Sequence, residues 1–320
     1  MTPTETSRLQ SFPISWFAMV MGLAGLSIAL HRAETLFELS VRPSVVILAL
    51  TITAFVVLAL IYTLKTIKHF DLVKAELQHP VKLNFFPTIS IGLILISIAV
   101  LPHQKEVSLT LWSVGTALHL GFTLYVLSTW IHHNHFEINH MNPAWFIPIV
   151  GNILVPIAGV EHGFVELAWL FFSIGVVFWL VLLTIIFNRM FFHQPLPGKL
   201  LPTLFILIAP PGVGFVSWLQ LTGELDAFAR ILYYSALFLT LMLFTQAPRF
   251  LKLPFFLSWW AYSFPMAAVT IATLGMYQLL GLSFFKWLGA ALLMLLVILI
   301  AGLLARTALA VSRREICIEE

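Results

Sequence analysis

Among the small polar side chains in the apolar stretches of this 320-residue sequence are Ser15, Ser27, Ser90, Ser97, Asn152, Ser217, Ser263 and Thr270. Deep in those stretches there is no Asp, Glu, Lys or Arg, and His119 is the one titratable exception. Hydroxyl and amide dipoles can hold a partly dehydrated anion loosely enough to release it. The positive ends of interrupted helices add to that effect. Proton- or sodium-coupled carriers keep an ionisable group in the membrane, and cation channels need carboxylates or carbonyl arrays. Enzyme chemistry would need a constellation of nucleophile, base and metal, and the stretches offer none, so no catalytic residue and no cofactor are assigned. Ser15, Gly22, Ser90, Asn152, Ser217, Ser263 and Thr270 are therefore the candidates for lining an anion path. His119 is read as hydrogen-bonded to a neighbouring helix. A separate group, His132, His133, His135 and His140, has the composition of a metal-binding tract. It lacks cysteine, and Glu137 and Asn139 in the same segment are consistent with either a metal site or a solvated loop, so these four stand only as weak metal candidates.

The elements that must hold these residues are membrane helices. Sixty per cent of the chain is hydrophobic and only 10% is charged, against about a quarter in soluble domains. That excludes a water-soluble enzyme, and the scattered basic residues leave no nucleic-acid footprint. At about 20 residues per crossing, the sequence divides into ten spans near residues 12–30, 45–64, 85–101, 109–131, 145–160, 167–187, 201–221, 227–244, 257–277 and 287–305, one membrane domain over 1–320. The single cysteine, Cys317, permits no intrachain disulfide.

Proline separates the spans into two classes. Pro13, Pro87, Pro148, Pro156, Pro202, Pro210, Pro211 and Pro265 all fall in or at the start of odd-numbered spans, and the even-numbered spans have none. Proline removes a backbone hydrogen bond and kinks a helix. In lipid the freed carbonyl is tolerated only inside protein or along a cavity. The expectation is five hairpins, each pairing a kinked inner helix with a straight outer one, and Pro87, Pro148, Pro156, Pro210, Pro211 and Pro265 are the kink candidates.

Of the 17 basic residues, Arg32, Arg42, Lys105, Arg230 and Lys286 fall on one side and the other twelve on the side of the N-terminus. The positive-inside rule places both termini in the cytoplasm. Apolar Ile67, Phe70, Val73 and Leu77, spaced by three and four among lysines, predict an amphipathic helix continuing the second span to about Gln78.

Several ordered motifs resemble the slow-type anion channel family. They are Pro13-Ile14-Ser15-Trp16-Phe17, Gly22-Leu23-Ala24-Gly25-Leu26-Ser27, His79-Pro80-Val81-Lys82-Leu83-Asn84-Phe85-Phe86, Val150-Gly151-Asn152, Ala209-Pro210-Pro211, and Trp259-Trp260-Ala261-Tyr262-Ser263-Phe264-Pro265-Met266. That family includes bacterial TehA-type tellurite-resistance proteins, plant guard-cell anion channels and fungal dicarboxylate or sulfite carriers. The resemblance implies ten helices as five hairpins around a central pore, a homotrimer, and a pore gate at the phenylalanine matching Phe264. It implies a gated passive channel for small monovalent anions such as chloride and nitrate. The alternative is a secondary transporter or exporter of tellurite, sulfite or a C4-dicarboxylate. A bacterial inner membrane is the expected location.

Overall fold

Helix is the only regular secondary structure among the described residues, which in this computed structural model are 8–132 and 136–317. Nine helices among them are long and apolar enough to cross a membrane. In chain order the first four are α1 (Ile14–Leu36), α2 (Pro43–Lys68), α3 (Lys82–Val100) and α4 (Lys105–His132). A shorter apolar stretch, α5 (Pro143–Gly159), stands where the fifth span was expected. Then follow α6 (Val165–Phe192), α7 (Gly198–Thr222), α8 (Ala227–Phe244), α9 (Leu257–Leu280) and α10 (Ser283–Ser312).

The odd- and even-numbered helices differ in backbone. Each odd one opens with 3₁₀ turns: Ile14–Trp16, Lys82–Phe85, Pro143–Trp145, Gly198–Ile208 and Leu257–Tyr262. α5 has a second such stretch at Gly151–Leu154. The even-numbered helices are α-helical throughout. Burial follows the same division. Between 67 and 83% of the apolar window is buried in α1, α3, α7 and α9, and between 22 and 39% in α2, α4, α6, α8 and α10. The exposed faces of the second group carry large apolar side chains such as Val177, Phe238 and Ile298, which suits contact with lipid.

Packing joins the two groups as hairpins. Every odd-numbered helix packs on the even one that follows it, and the odd helices also pack on one another in a closed ring, α1–α3–α5–α7–α9–α1. Closure between α1 and α9 depends on small residues. A Cβ on Gly22 would overlap Ser263, and one on Gly25 would lie 2.7 Å from the Ala267 Cβ.

The helices run past the expected span ends because their charged ends find distant partners. α1 continues to Leu36 rather than about Leu30, and Glu34 accepts from the Ser44 amide at 2.7 Å and its hydroxyl at 2.6 Å, holding the first turn of α2. At the other end of α2, fully buried Lys65 donates to the Phe12 carbonyl at 2.7 Å and to Glu76 at 2.9 Å. Tyr62 donates to the same carboxylate at 2.7 Å. The amphipathic segment is not continuous with α2. The chain breaks at His69 and restarts as the helix Phe70–Gln78, a turn that brings Glu76 back to Lys65. The two ends of the described chain meet here, with Ile316 and Cys317 packed against the cluster containing Phe12 and Trp16.

Candidate functional site

The helical ring encloses two cavities in line. The one nearer the chain's ends has a volume of about 70 Å³ and walls that include Ala18, Met21, Phe85, Ile91, Val150, Ile206 and Trp260. The other has a volume of about 360 Å³ and mixes apolar Ile28, Leu95, Ile157 and Ile271 with Arg32, Gln220 and Gln278. Leu154, Val213 and Phe264 line both, so the cavities abut at these three side chains. Every lining residue comes from an odd-numbered helix or the residues just after one. Phe264 is 8% exposed. Its ring has room because Gly25 lies opposite, where a Cβ would be 3.3 Å from Phe264 Cδ2.

The lining positions recur every three or four residues, as one face of a helix requires. On α1 they include Ala18, Met21, Ile28, Arg32 and Thr35, with His31 and Leu36 flanking, and on α9 Ala261, Phe264, Ala268, Ile271 and Gln278, with Trp260 and Pro265 flanking. The polar candidates lie off this face. Gly22, Ser90, Asn152, Ser217, Ser263 and Thr270 each stand next in sequence to a lining residue, about 100° round the helix. Ser15 is half-buried in the first turn of α1 and lines neither cavity. Of the prolines, Pro210 and Pro265 line the smaller cavity, and Pro87, Pro148, Pro156 and Pro211 line neither.

The hydroxyls are turned away because the irregular backbone needs them. α5 is the most interrupted helix, and its carbonyls take donors from its neighbours: Trp112 Nε1 to Val155 O at 2.9 Å, Thr123 Oγ1 to Pro148 O at 2.7 Å, and Ser217 Oγ to Ile153 O. Asn152 donates to Ile149 O at 2.6 Å and to Thr123 Oγ1 at 2.9 Å. Ser263 bonds Trp260 O at 2.6 Å, and Thr270 bonds Met266 O at 2.7 Å. In a medium without water these bonds satisfy groups that would otherwise be orphaned. The cavity walls are left mainly apolar.

His119 sits fully buried behind that wall, as a helix-packing histidine should. Ser90 donates its hydroxyl proton to Pro87 O at 2.8 Å, so His119 Nδ1, 2.9 Å from Ser90 Oγ, must be the donor in their contact. Among the weak metal candidates, His132 Nδ1 lies 2.9 Å from the Ser128 carbonyl of its own helix, and His140 Nδ1 accepts from the Glu137 amide at 3.1 Å. His133 and His135 lie outside the described residues.

Sequence reasoning missed the polar wall of the larger cavity, above all Arg32. Drawing the first span to Leu30 put Arg32 in a loop, although the face Met21, Ile28, Arg32 and Thr35 continues unbroken past that boundary. It also missed Leu154 and Val213, for which the sequence has no signal beyond helical spacing from Val150 and Ala209.

Comparison with known proteins adds a further line of observation. Residues 11–308 match the sequence profile of the SLAC1 family, described as voltage-dependent anion channel. The S-type anion channel SLAH2 of Arabidopsis thaliana is 29% identical over 274 residues, covering 83% of this chain and 53% of the relative. An uncharacterized transporter of Methanocaldococcus jannaschii is 28% identical and covers 91% of this chain and 92% of its own length. The tellurite resistance protein TehA homolog of Haemophilus influenzae is 27% identical, covering 86% and 85%. The chain spans about half the length of the plant relatives it matches.

Proposed function

Because this chain belongs to the voltage-dependent anion channel family, an integral membrane family of anion channels and transporters rather than enzymes, we propose that it is a gated passive channel for small monovalent anions such as chloride and nitrate. The observation that carries this reading is that the two cavities abut at Phe264, Leu154 and Val213. A rigid ring between two bulky aliphatic side chains blocks ions by filling the path and by excluding water from it. Phe264 is the gate in this reading, since it contributes the largest group and stands beside Pro265. The absence of acidic residues from the shared constriction leaves nothing there to trap or couple an ion. An anion passing an apolar constriction must shed water, so nitrate and iodide should pass ahead of chloride. The full chain would act as one membrane unit, assembled as a homotrimer with a path in each protomer, in a bacterial inner membrane with both termini cytoplasmic. The charge asymmetry of the loops supports that orientation.

A carrier of tellurite, sulfite or a C4-dicarboxylate is the competing reading, favoured by the likeness to the TehA homolog. One experiment separates them: anion efflux from liposomes holding purified parent or Phe264→Ala protein, with and without proton or sodium gradients. We expect Phe264→Ala to fold and to raise gradient-independent chloride flux many-fold. Rates above about 10⁶ ions per second would exceed a carrier cycling on μs–ms timescales. A stable Phe264→Ala protein with no more flux than the parent rejects the gate.

A further inference from the structure

The larger cavity holds a cation that the constriction does not use. Arg32 is half-buried on its wall, at the end of the path away from the chain's termini. Its Nη2 donates to Gln278 Oε1 at 3.1 Å. Among the described residues no carboxylate lies within 4.0 Å of the guanidinium. The carboxylates nearby are engaged elsewhere. Glu161, on the same wall, accepts from Gln220 Nε2 at 2.6 Å, and Glu34 holds Ser44. Room for the guanidinium comes from Gly275 of α9, where a Cβ would lie 3.0 Å from Arg32 Nη2.

A guanidinium has five N–H donors in one plane, and the Gln278 contact uses one. Because Gln278 accepts through Oε1, its own amide N–H groups remain available beside the fork. A planar array of donors fits a planar oxyanion bidentately, whereas a spherical halide engages it without regard to the plane. A cation in a cleft with low-dielectric walls also raises the local anion concentration. We propose that Arg32 and Gln278 form a binding site for a planar oxyanion, nitrate or a carboxylate, in the larger cavity ahead of the Phe264 constriction. The proposal rests on the reading of this path as an anion conduit and adds a selectivity that the apolar constriction lacks. Dehydration alone treats nitrate and iodide nearly alike. The fork separates them.

The test measures nitrate, formate, iodide and chloride flux in liposomes holding Phe264→Ala protein, alone and combined with Arg32→Lys or Arg32→Gln. The nitrate-to-iodide ratio should fall about three-fold or more in Arg32→Lys, which keeps the charge and loses the fork. Arg32→Gln should in addition depress flux of all four anions at low ionic strength, an effect that fades as salt screens it. Formate tracking nitrate would identify the ligand as planar oxyanions in general, and nitrate alone responding would narrow it to nitrate. An unchanged nitrate-to-iodide ratio in Arg32→Lys overturns the site. Absence of any flux in Phe264→Ala defeats the conduit reading instead. The site is then judged on the detergent-purified parent, whose melting temperature nitrate should raise more than iodide does, a difference that Arg32→Lys and Gln278→Leu should abolish. Equal shifts with both anions in the parent would reject it.

Discussion

The inner helices have broken backbones and the outer helices do not, although both are built from much the same apolar residues. α5 changes between α and 3₁₀ geometry within 17 residues, whereas α6, the partner it packs on, runs 28 residues as unbroken α-helix. The difference lies in what surrounds each one. A carbonyl freed in α5 meets Trp112, Thr123 or Ser217 from a neighbouring helix. A carbonyl freed on the outer face of α6 would meet only lipid, at several kcal/mol. Irregular backbone is thus confined to the ring by the supply of donors.

The contrast is most directly broken with proline. Val177→Pro, on the exposed face of α6, should destabilise by about 3 kcal/mol or more and abolish folded protein in size-exclusion profiles. Pro156→Ala in α5 should leave folded yield close to that of the parent. Comparable yields from both variants would refute the division into two classes. Glycine gives a smaller effect. Gly22→Leu drives a side chain into Ser263 at the α1–α9 closure, an overpacking worth about 1–3 kcal/mol. Gly302→Leu on α10, where nothing lies within 4 Å, should leave the melting temperature unchanged. The smallest effect concerns one hydrogen bond. Ser217→Ala deprives Ile153 O of its donor and should cost about 0.6 kcal/mol, with about 1.7 as an upper value. Ser173→Ala, whose hydroxyl bonds Trp169 O within the same exposed helix turn, should show no loss in the same denaturation assay.

Much of the architecture was legible in the sequence, and the reason is physical. Proline marks a broken helix, a broken helix must be shielded, and so the alternation of Pro13, Pro87, Pro148, Pro202 and Pro265 with proline-free spans maps which helices face inward. The wall's chemistry was much less legible. Choosing Ser90, Asn152, Ser217, Ser263 and Thr270 assumed that a polar side chain among apolar ones serves a ligand. In this fold they serve the backbone, and the residues one position away face the cavities. Span ends were misread for a related reason: Glu34 and Lys65 look like boundary charges until Ser44 and Phe12 arrive as partners from elsewhere in the chain. The selection of Phe264 from 28 phenylalanines came from motif resemblance, since spacing alone does not single it out.

The closure of α1 against α9 also has a consequence for how the protein is made. α1 leaves the ribosome well before α9, the neighbour that completes its side of the ring, which is synthesised more than 200 residues later. Until then the glycine-rich inner face of α1 is covered on one side only, and the ring is an open arc. At synthesis rates of about 5–20 residues per second, that arc persists for at least about ten seconds in every nascent chain. Ribosome stalling before Leu257 therefore yields a membrane-inserted fragment with an unclosed seam, the form that quality-control proteases would recognise.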